Sequence, residues 1–186
     1  MLKEPALGMI EYKSVGRGIF SCDAMVKKAP VRIIETHPVC PGKYITIIGG
    51  EVADVEEAMK AGIESGTDMV VADLFLPYVH RSVIPAIAGT TRVEKFGAVG
   101  IIETFSVADC VQAADIAAKA TPIILVEIRL ANGLGGKGYF IMTGELADVE
   151  DSLEAAKRYV KKKGMLAACE LIPSPHPDLI DKGMYW

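Results

Sequence analysis

Apolar and polar positions follow two different periods in the first half of the chain, and the change of period predicts strands and helices in turn. Short segments rich in apolar and β-branched residues predict four strands, at Ala6–Tyr12 and at residues 31–35, 44–48 and 69–76. The segment 18–29 is predicted as a helix that ends before Pro30. A second helix, with Asp54 as its N-cap, carries an apolar stripe formed by Val55, Ala58, Met59, Gly62 and Ile63.

The second half of the chain repeats the first. Gly8-Met9-Ile10-Glu11 recurs as Gly100-Ile101-Ile102-Glu103, 92 positions later, and the segment 50–55 recurs at 144–149, 94 positions later. The register slips by two between residues 38–43 and their counterparts 130–137, so the two copies differ chiefly in one loop. Matches that keep their order over the whole length indicate two tandem copies of one small domain.

The second copy has the same predicted elements as the first. Strands are predicted at Ala98–Thr104 and at residues 123–130, 139–143 and 166–172, with one helix ending at Ala120 and another beginning at Asp148. The order β-α-β-β-α-β in each copy is that of ferredoxin-like domains, which predicts an α+β fold, a two-layer α/β sandwich. We predict domains at residues 1–90 and 96–186, joined through a linker at 88–95.

Composition excludes several classes of protein. The chain has 186 residues, 51% of them hydrophobic, and a net charge of −4, so neither disorder nor binding to nucleic acid through a basic face is expected. No segment approaches the ~20 apolar residues of a transmembrane helix, and no secretion signal is recognised. Four scattered cysteines, with no Cys-x-x-Cys pair, suit a reducing cytoplasm.

The repeated motifs resemble those of the bacterial microcompartment shell domain. They are Gly-x-Ile-Glu, Asp-x-x-x-Lys-x-x-Pro, Gly-Lys-Tyr in the first copy, and Gly-Glu-Val-Ala-Asp-Val or its close variant. The resemblance covers nearly the whole chain and implies a structural shell subunit of the tandem-domain type rather than an enzyme. Such subunits form homotrimers that imitate hexamers and tile with other shell proteins. It also implies a location in the cytoplasm, within the shell of a microcompartment.

The loop His37-Pro38-Val39-Cys40-Pro41-Gly42-Lys43 is similar to that of an iron–sulfur subtype of this family, found in propanediol-utilisation compartments. By that resemblance, Cys40 of each chain holds one [4Fe–4S] cluster per trimer at a central pore, for electron transfer across the shell. Encapsulated redox enzymes are then possible partners. The resemblance also implies that the pore is lined by Val39, Pro41, Gly42, Asn132, Gly133, Leu134 and Gly135.

The residues alone leave other functions open. One cysteine cannot hold a metal site, which needs three or four protein ligands, so Cys40 taken by itself is better explained as a small apolar loop residue or an inert thiol. A shell subunit with a metal-free pore for metabolites is the main alternative. A ferredoxin-like regulatory or enzymatic domain is a third, but no nucleophile–base pair or nucleotide fingerprint supports it.

Several further residues carry expectations. By the resemblance, Lys27 and Lys119 contact neighbouring tiles at the edge, although Tyr78 and Ser174 depart from the family's usual edge motif. The three cysteines other than Cys40 are predicted to be buried, and His37 to be a solvated loop residue. A duplicated structural role is predicted for Glu11 and Glu103. The recurrence of His80 and His176 also indicates a duplicated structural role, with a catalytic role left open as the alternative.

Overall fold

The computed structural model describes residues 5–182 of the chain. The first copy forms β1 (Ala6–Tyr12), α1 (Val15–Lys28), β2 (Arg32–Val39), β3 (Lys43–Gly50), α2 (Val52–Gly66), a 3₁₀ turn (Thr67–Met69) and β4 (Val70–Leu76). Its four strands are antiparallel and lie in the order β2-β3-β1-β4. β1 therefore lies at the centre of the sheet, between β3 and β4.

The rest of the chain begins with a short helix and then repeats this pattern. It forms α3 (Val83–Ile87), β5 (Ala98–Thr104), α4 (Val107–Ala120), β6 (Ile124–Leu130), β7 (Gly138–Gly144), α5 (Leu146–Lys162), β8 (Leu166–Ile172) and α6 (Pro177–Lys182). The second sheet has the order β6-β7-β5-β8, the same as the first. The predicted α+β class, with two tandem ferredoxin-like domains, is confirmed.

Contacts divide the described residues into two compact units, with the boundary between Val79 and His80. The domain limits predicted from the sequence, 1–90 and 96–186, extend beyond the described residues and stay a prediction. Among residues 5–182, no helix combines the length and the apolar character that a membrane span needs.

The helices of each unit pack on one face of its sheet, and a glycine in the central strand permits the close approach. A Cβ added at Gly8 of β1 would lie 2.7 Å from Sδ of Met59 on α2. At the equivalent Gly100 of β5, it would lie 2.9 Å from Cγ1 of Val149 on α5. The first motif of the repeat thus begins with glycine because a helix lies directly against that position of the strand.

Three of the predicted helix starts are wrong. α1 begins at Val15, not at Gly18, because the Ser14 side chain accepts a hydrogen bond from the Arg17 backbone N–H at 3.3 Å and caps the helix earlier. α2 begins after Glu51, so Asp54 lies within the first turn, where its charge complements the helix dipole. α5 likewise begins after Glu145, with Asp148 in its first turn.

Other differences concern surface positions and short elements. β2 extends to Val39 and so includes much of the predicted loop. Ile63, the last position of the predicted apolar stripe of α2, is exposed. The short helices α3 and α6 had no counterpart among the predicted elements.

Candidate functional site

The predicted pore loop of the first copy is a tight turn between β2 and β3. Val39 pairs with Lys43 across the two strands, so only Cys40, Pro41 and Gly42 form the turn. The Cys40–Pro41 peptide bond is cis, and Gly42 has a φ of +77°, which glycine adopts without strain. Pro41 and Gly42 are exposed and Cys40 is partly exposed, whereas Val39 is buried.

The corresponding loop of the second copy is longer and contains no thiol. It connects Leu130 to Gly138 and is closed by a hydrogen bond from the Ala131 N–H to the Lys137 carbonyl at 3.0 Å. Its glycines at positions 133, 135 and 136 all have positive φ, as does Ala131. Asn132, Gly133 and Gly135 are exposed and Leu134 is half-buried, so three of these four predicted pore residues face solvent within one chain.

An ion pair lies at the base of each loop. Lys43, which follows the first turn, donates from Nζ to Oε1 of Glu11 at 3.0 Å. Lys137 pairs with Glu103 at the equivalent place in the second copy. These contacts join the loop-bearing strand to the central strand and give both glutamates the structural role that their repetition predicts. The two lysines were not predicted as partners, although the repeated lysine after each loop glycine was a usable signal.

His37 is held on β2 by a carboxylate and does not lie in a solvated loop, so that prediction is wrong. Its Nε2 lies 3.0 Å from Oε2 of Glu35, and its Nδ1 lies 3.1 Å from the Pro38 carbonyl oxygen. The hydrogen bond to Glu35 raises the pKa of His37, partly opposed by burial. In the second copy Arg129 replaces the histidine and donates to Glu127 at 2.7 Å.

The four cysteines occupy different environments. Cys22 and Cys110 are buried in α1 and α4, as predicted, and burial raises the pKa of Cys110 to about 12. Cys169 is half-buried on β8, so the prediction that it is buried is wrong, because β8 lies at the edge of its sheet. Within residues 5–182 no three His, Cys, Asp or Glu side chains converge as a metal site.

The two predicted edge lysines each pair with an aspartate one helical turn earlier. Lys27 lies 2.6 Å from Asp23 on α1, and Lys119 lies 2.6 Å from Asp115 on α4. The pairs differ in burial, because Asp115 is 2% exposed and also accepts a hydrogen bond from the His80 backbone N–H at 2.7 Å. Asp23 and Lys27 are both exposed.

His80 and His176 make the same local contact. Each accepts at Nδ1 a hydrogen bond from the backbone N–H two residues later, from Ser82 at 3.4 Å and from Asp178 at 3.2 Å. In both copies the histidine carbonyl also accepts from the backbone N–H three residues on, at 3.0 Å. Both histidines thus organise the start of the short helix that follows, which agrees with a duplicated structural role.

Comparison with known proteins gives one consistent result. The BMC-domain family model matches residues 6–79 and 98–175. The bacterial microcompartment shell protein PduT of Citrobacter freundii is 41% identical over 174 residues, which span 94% of this chain and 95% of that protein. The carboxysome assembly protein CcmO of Synechococcus elongatus is 28% identical over 188 residues, spanning 95% of this chain and 67% of that protein.

A solved structure agrees with these sequence relatives. The crystal structure of a microcompartment protein from Desulfitobacterium hafniense superposes with a TM-score of 0.92 at 44% identity, covering 95% of this chain and 98% of that chain. Both sheets, both predicted loops and the duplicated ion pairs thus lie within a fold that shell proteins share. The chain belongs to the bacterial microcompartment shell protein family, has two tandem BMC domains, and is a structural shell subunit rather than an enzyme.

Proposed function

We propose that three copies of this chain form a pseudohexameric ring whose central pore holds one [4Fe–4S] cluster through Cys40 of each chain. The observation that carries the proposal is the position of the thiol. Cys40 is partly exposed in a three-residue turn whose other two members, Pro41 and Gly42, are exposed. No other cysteine lies in a loop, because Cys22, Cys110 and Cys169 lie in helices or a strand.

The local structure around Cys40 suits a shared ligand. Apart from the adjacent Pro41 and Lys43, no residue has an atom within 4 Å of the Cβ position of Gly42, so no more distant part of the described chain fills this side of the turn. Threefold symmetry brings three equivalent thiolates to one point, and three is the number that can bind three irons of a four-iron cluster. Cys40 of three chains would thus hold three of the four irons, and the fourth would have no cysteine ligand from this protein.

Each part of the loop has a role in this proposal. The cluster supplies one-electron transfer, and its reduction potential depends on hydrogen bonds to sulfur and on solvent exposure. Cys40 provides the ligand sulfur. The Lys43–Glu11 ion pair fixes the base of the turn to β1 and limits the movement of Cys40. Such a pore would conduct electrons between the two sides of the shell, to or from encapsulated redox enzymes.

Anaerobic isolation of the full chain tests the proposal. We expect a brown protein with about four irons and four sulfides per three chains, and a paramagnetic resonance signal after reduction. Cys40→Ser should lose the iron and the signal but should keep the molecular mass of the trimer in solution. Cys169→Ser is the matched control, since it removes another partly exposed thiol, and it should keep both.

The alternative is a shell subunit whose pore passes metabolites and binds no metal. The exposed glycine-rich loop of the second copy is compatible with it, because glycines at 133 and 135 place no side chain in the opening. A colourless wild-type protein after reconstitution with iron and sulfide under anaerobic conditions would contradict the cluster and favour this alternative. Molecular mass in solution tests the trimer independently of iron.

A further inference from the structure

In the second unit a short helix packs against the first helix and the edge strand of the sheet. The chain also contains the two surfaces of an equivalent second contact, but both of these are exposed. The short helix α3 packs on α4 and β6. Val83 of α3 is fully buried, and the His80 backbone N–H just before α3 donates to Asp115 of α4 at 2.7 Å. The sequence repeat places α3 at the end of the first copy, after the motif Pro77-x-x-His80. A segment from one copy thus covers the first helix and the edge strand of the other.

The surface equivalent to α4 and β6 is uncovered in the first copy. Three positions that are buried in the second unit, Val111, Asp115 and Leu125, correspond by the repeat to Ile19, Asp23 and Ile33. Ile19 is 54% exposed, and Ile33 and Asp23 are also exposed. We call Ile19, Asp23 and Ile33 the acceptor surface. It presents two apolar side chains around a carboxylate whose counterpart accepts a backbone N–H.

The segment equivalent to α3 is also uncovered. α6 follows Pro173-x-x-His176, as α3 follows Pro77-x-x-His80, and both histidines make the same Nδ1 contact. Ile180 packs against the apolar cluster of Val99, Val126 and Ile141, so α6 is anchored on its own unit. Leu179, the counterpart of the buried Val83, is instead 39% exposed.

We propose that α6 of one chain docks on the acceptor surface of a neighbouring copy, with Leu179 against Ile19 and Ile33. In this contact the His176 backbone N–H donates to the Asp23 carboxylate, as the His80 N–H does to Asp115. The proposal rests on the trimer of the proposed function but not on the cluster. Because α6 and the acceptor surface are different surfaces of the chain, the contact is head-to-tail, and such a contact closes into a ring of three where each copy is rotated by a third of a turn from the last.

Two variants break opposite halves of the contact. Leu179→Glu places a charge on α6, and Ile19→Glu places one on the acceptor surface. Both side chains are partly exposed in the single chain, so neither substitution places a charge in the core of the protein. Ile63→Glu is the matched control, because Ile63 of α2 is a similarly exposed isoleucine that belongs neither to α6 nor to the acceptor surface. We expect each of the first two variants to raise the dissociation constant of every subunit interface about thirty-fold or more. The control should assemble as the wild type does.

A mixing experiment tests the head-to-tail arrangement. The Leu179→Glu chain keeps an intact acceptor surface and the Ile19→Glu chain keeps an intact α6, so one good interface forms between them. The opposite interface would pair the substituted α6 of one chain with the substituted acceptor surface of the other, so the ring does not close. Native mass spectrometry of the two purified variants at a concentration that keeps the wild type trimeric should show mainly monomers for each alone. Their mixture should show a one-to-one dimer and no trimer.

The outcomes separate this contact from the proposed trimer. If the wild type is trimeric and Leu179→Glu assembles as tightly as Ile63→Glu, the docking of α6 is wrong while the trimer stands. Variants that remain monomeric even when mixed would also contradict the head-to-tail pairing. A wild type that is monomeric at every accessible concentration would overturn the trimer itself.

Discussion

The two copies fill the same space between their first helix and third strand in opposite ways. In the first copy Tyr44 of β3 lies against Gly18 of α1, where an added Cβ would be 2.5 Å from the tyrosine Cδ1. In the second copy the strand position is Gly138 and the helix position is Cys110, whose Cβ would lie 2.9 Å from a Cβ added at Gly138. The fold therefore constrains the combined volume of the two positions rather than the residue at either one.

The duplicated ion pair shows the same geometry with different burial. The side chain of Glu11 is almost completely buried beside Lys43, whereas Glu103 and Lys137 are both partly exposed. A buried carboxylate depends on its partner far more than a solvated one does, because water cannot replace the lost interaction. The repeat thus provides two Glu–Lys pairs at equivalent positions that differ in how far the glutamate is shielded from water.

Removing the lysine from each pair should give the largest difference between the copies. We expect Lys43→Met to lower the free energy of unfolding by about 3 kcal/mol, because it leaves Glu11 buried without a charged partner. Lys137→Met should cost less than about 1 kcal/mol, since Glu103 remains hydrated. Urea denaturation at one fixed chain concentration measures both, because assembly makes stability depend on concentration. Equal costs for the two variants would show that burial does not set the strength of the pair.

Transferring the helix residue of the second copy into the first should have the next largest effect. Gly18→Cys forces a Cβ into Tyr44 and should lower the free energy of unfolding by about 2 kcal/mol. Adding Tyr44→Gly supplies the space, so the double variant should be less destabilised than the sum of the two single variants. A double-mutant cycle in urea measures this coupling. Additive costs would mean that the two positions do not share one volume.

Much of the fold was predictable because the repeat presents each signal twice. The order of strands and helices follows from the paired motifs, and the central strand β1 was predicted with the bounds it has. The short helices α3 and α6 were not predictable from local pattern, since segments of this length are stabilised by tertiary contacts rather than by propensity. The start of α2 was placed too late because aspartate is favoured both as an N-cap and in the first turn.

The position of the loop that carries Cys40 was predictable, but its contacts were not. Cys40 was singled out from the loop motif, and it lies in the turn between β2 and β3. The burial of Val39 was not predicted, because the predicted strand ended at residue 35. In the structure β2 continues through His37 and Pro38 to Val39, which is buried. Sequence spacing does not show which side chain meets a carboxylate across or along a strand, so the ion pairs of Lys43 and His37 required the structure.

The first copy has a histidine–glutamate pair, whose charge depends on pH, where the second copy has an arginine–glutamate pair that stays charged. His37 bonds Glu35 where Arg129 bonds Glu127. The pKa of His37 is raised above its ordinary value of 6.5, chiefly by the hydrogen bond to Glu35. A histidine whose pKa is higher in the folded state stabilises fully below the unfolded pKa, and that contribution is lost as pH rises through the folded pKa. Arginine stays charged over this range, so the second copy has no such dependence.

His37→Arg should therefore remove a small pH dependence and leave the fold unchanged. We expect the wild type to lose less than about 1 kcal/mol relative to this variant as pH rises from 6.5 through the folded pKa, because the pair is partly exposed. Urea denaturation across that range measures the difference. His80, whose pKa is lowered by burial, is present in both proteins, so its contribution cancels. Arg129→His is the reciprocal control and should add the same dependence to the second copy, and parallel pH profiles in all three proteins would mean that protonation of His37 does not stabilise the first copy.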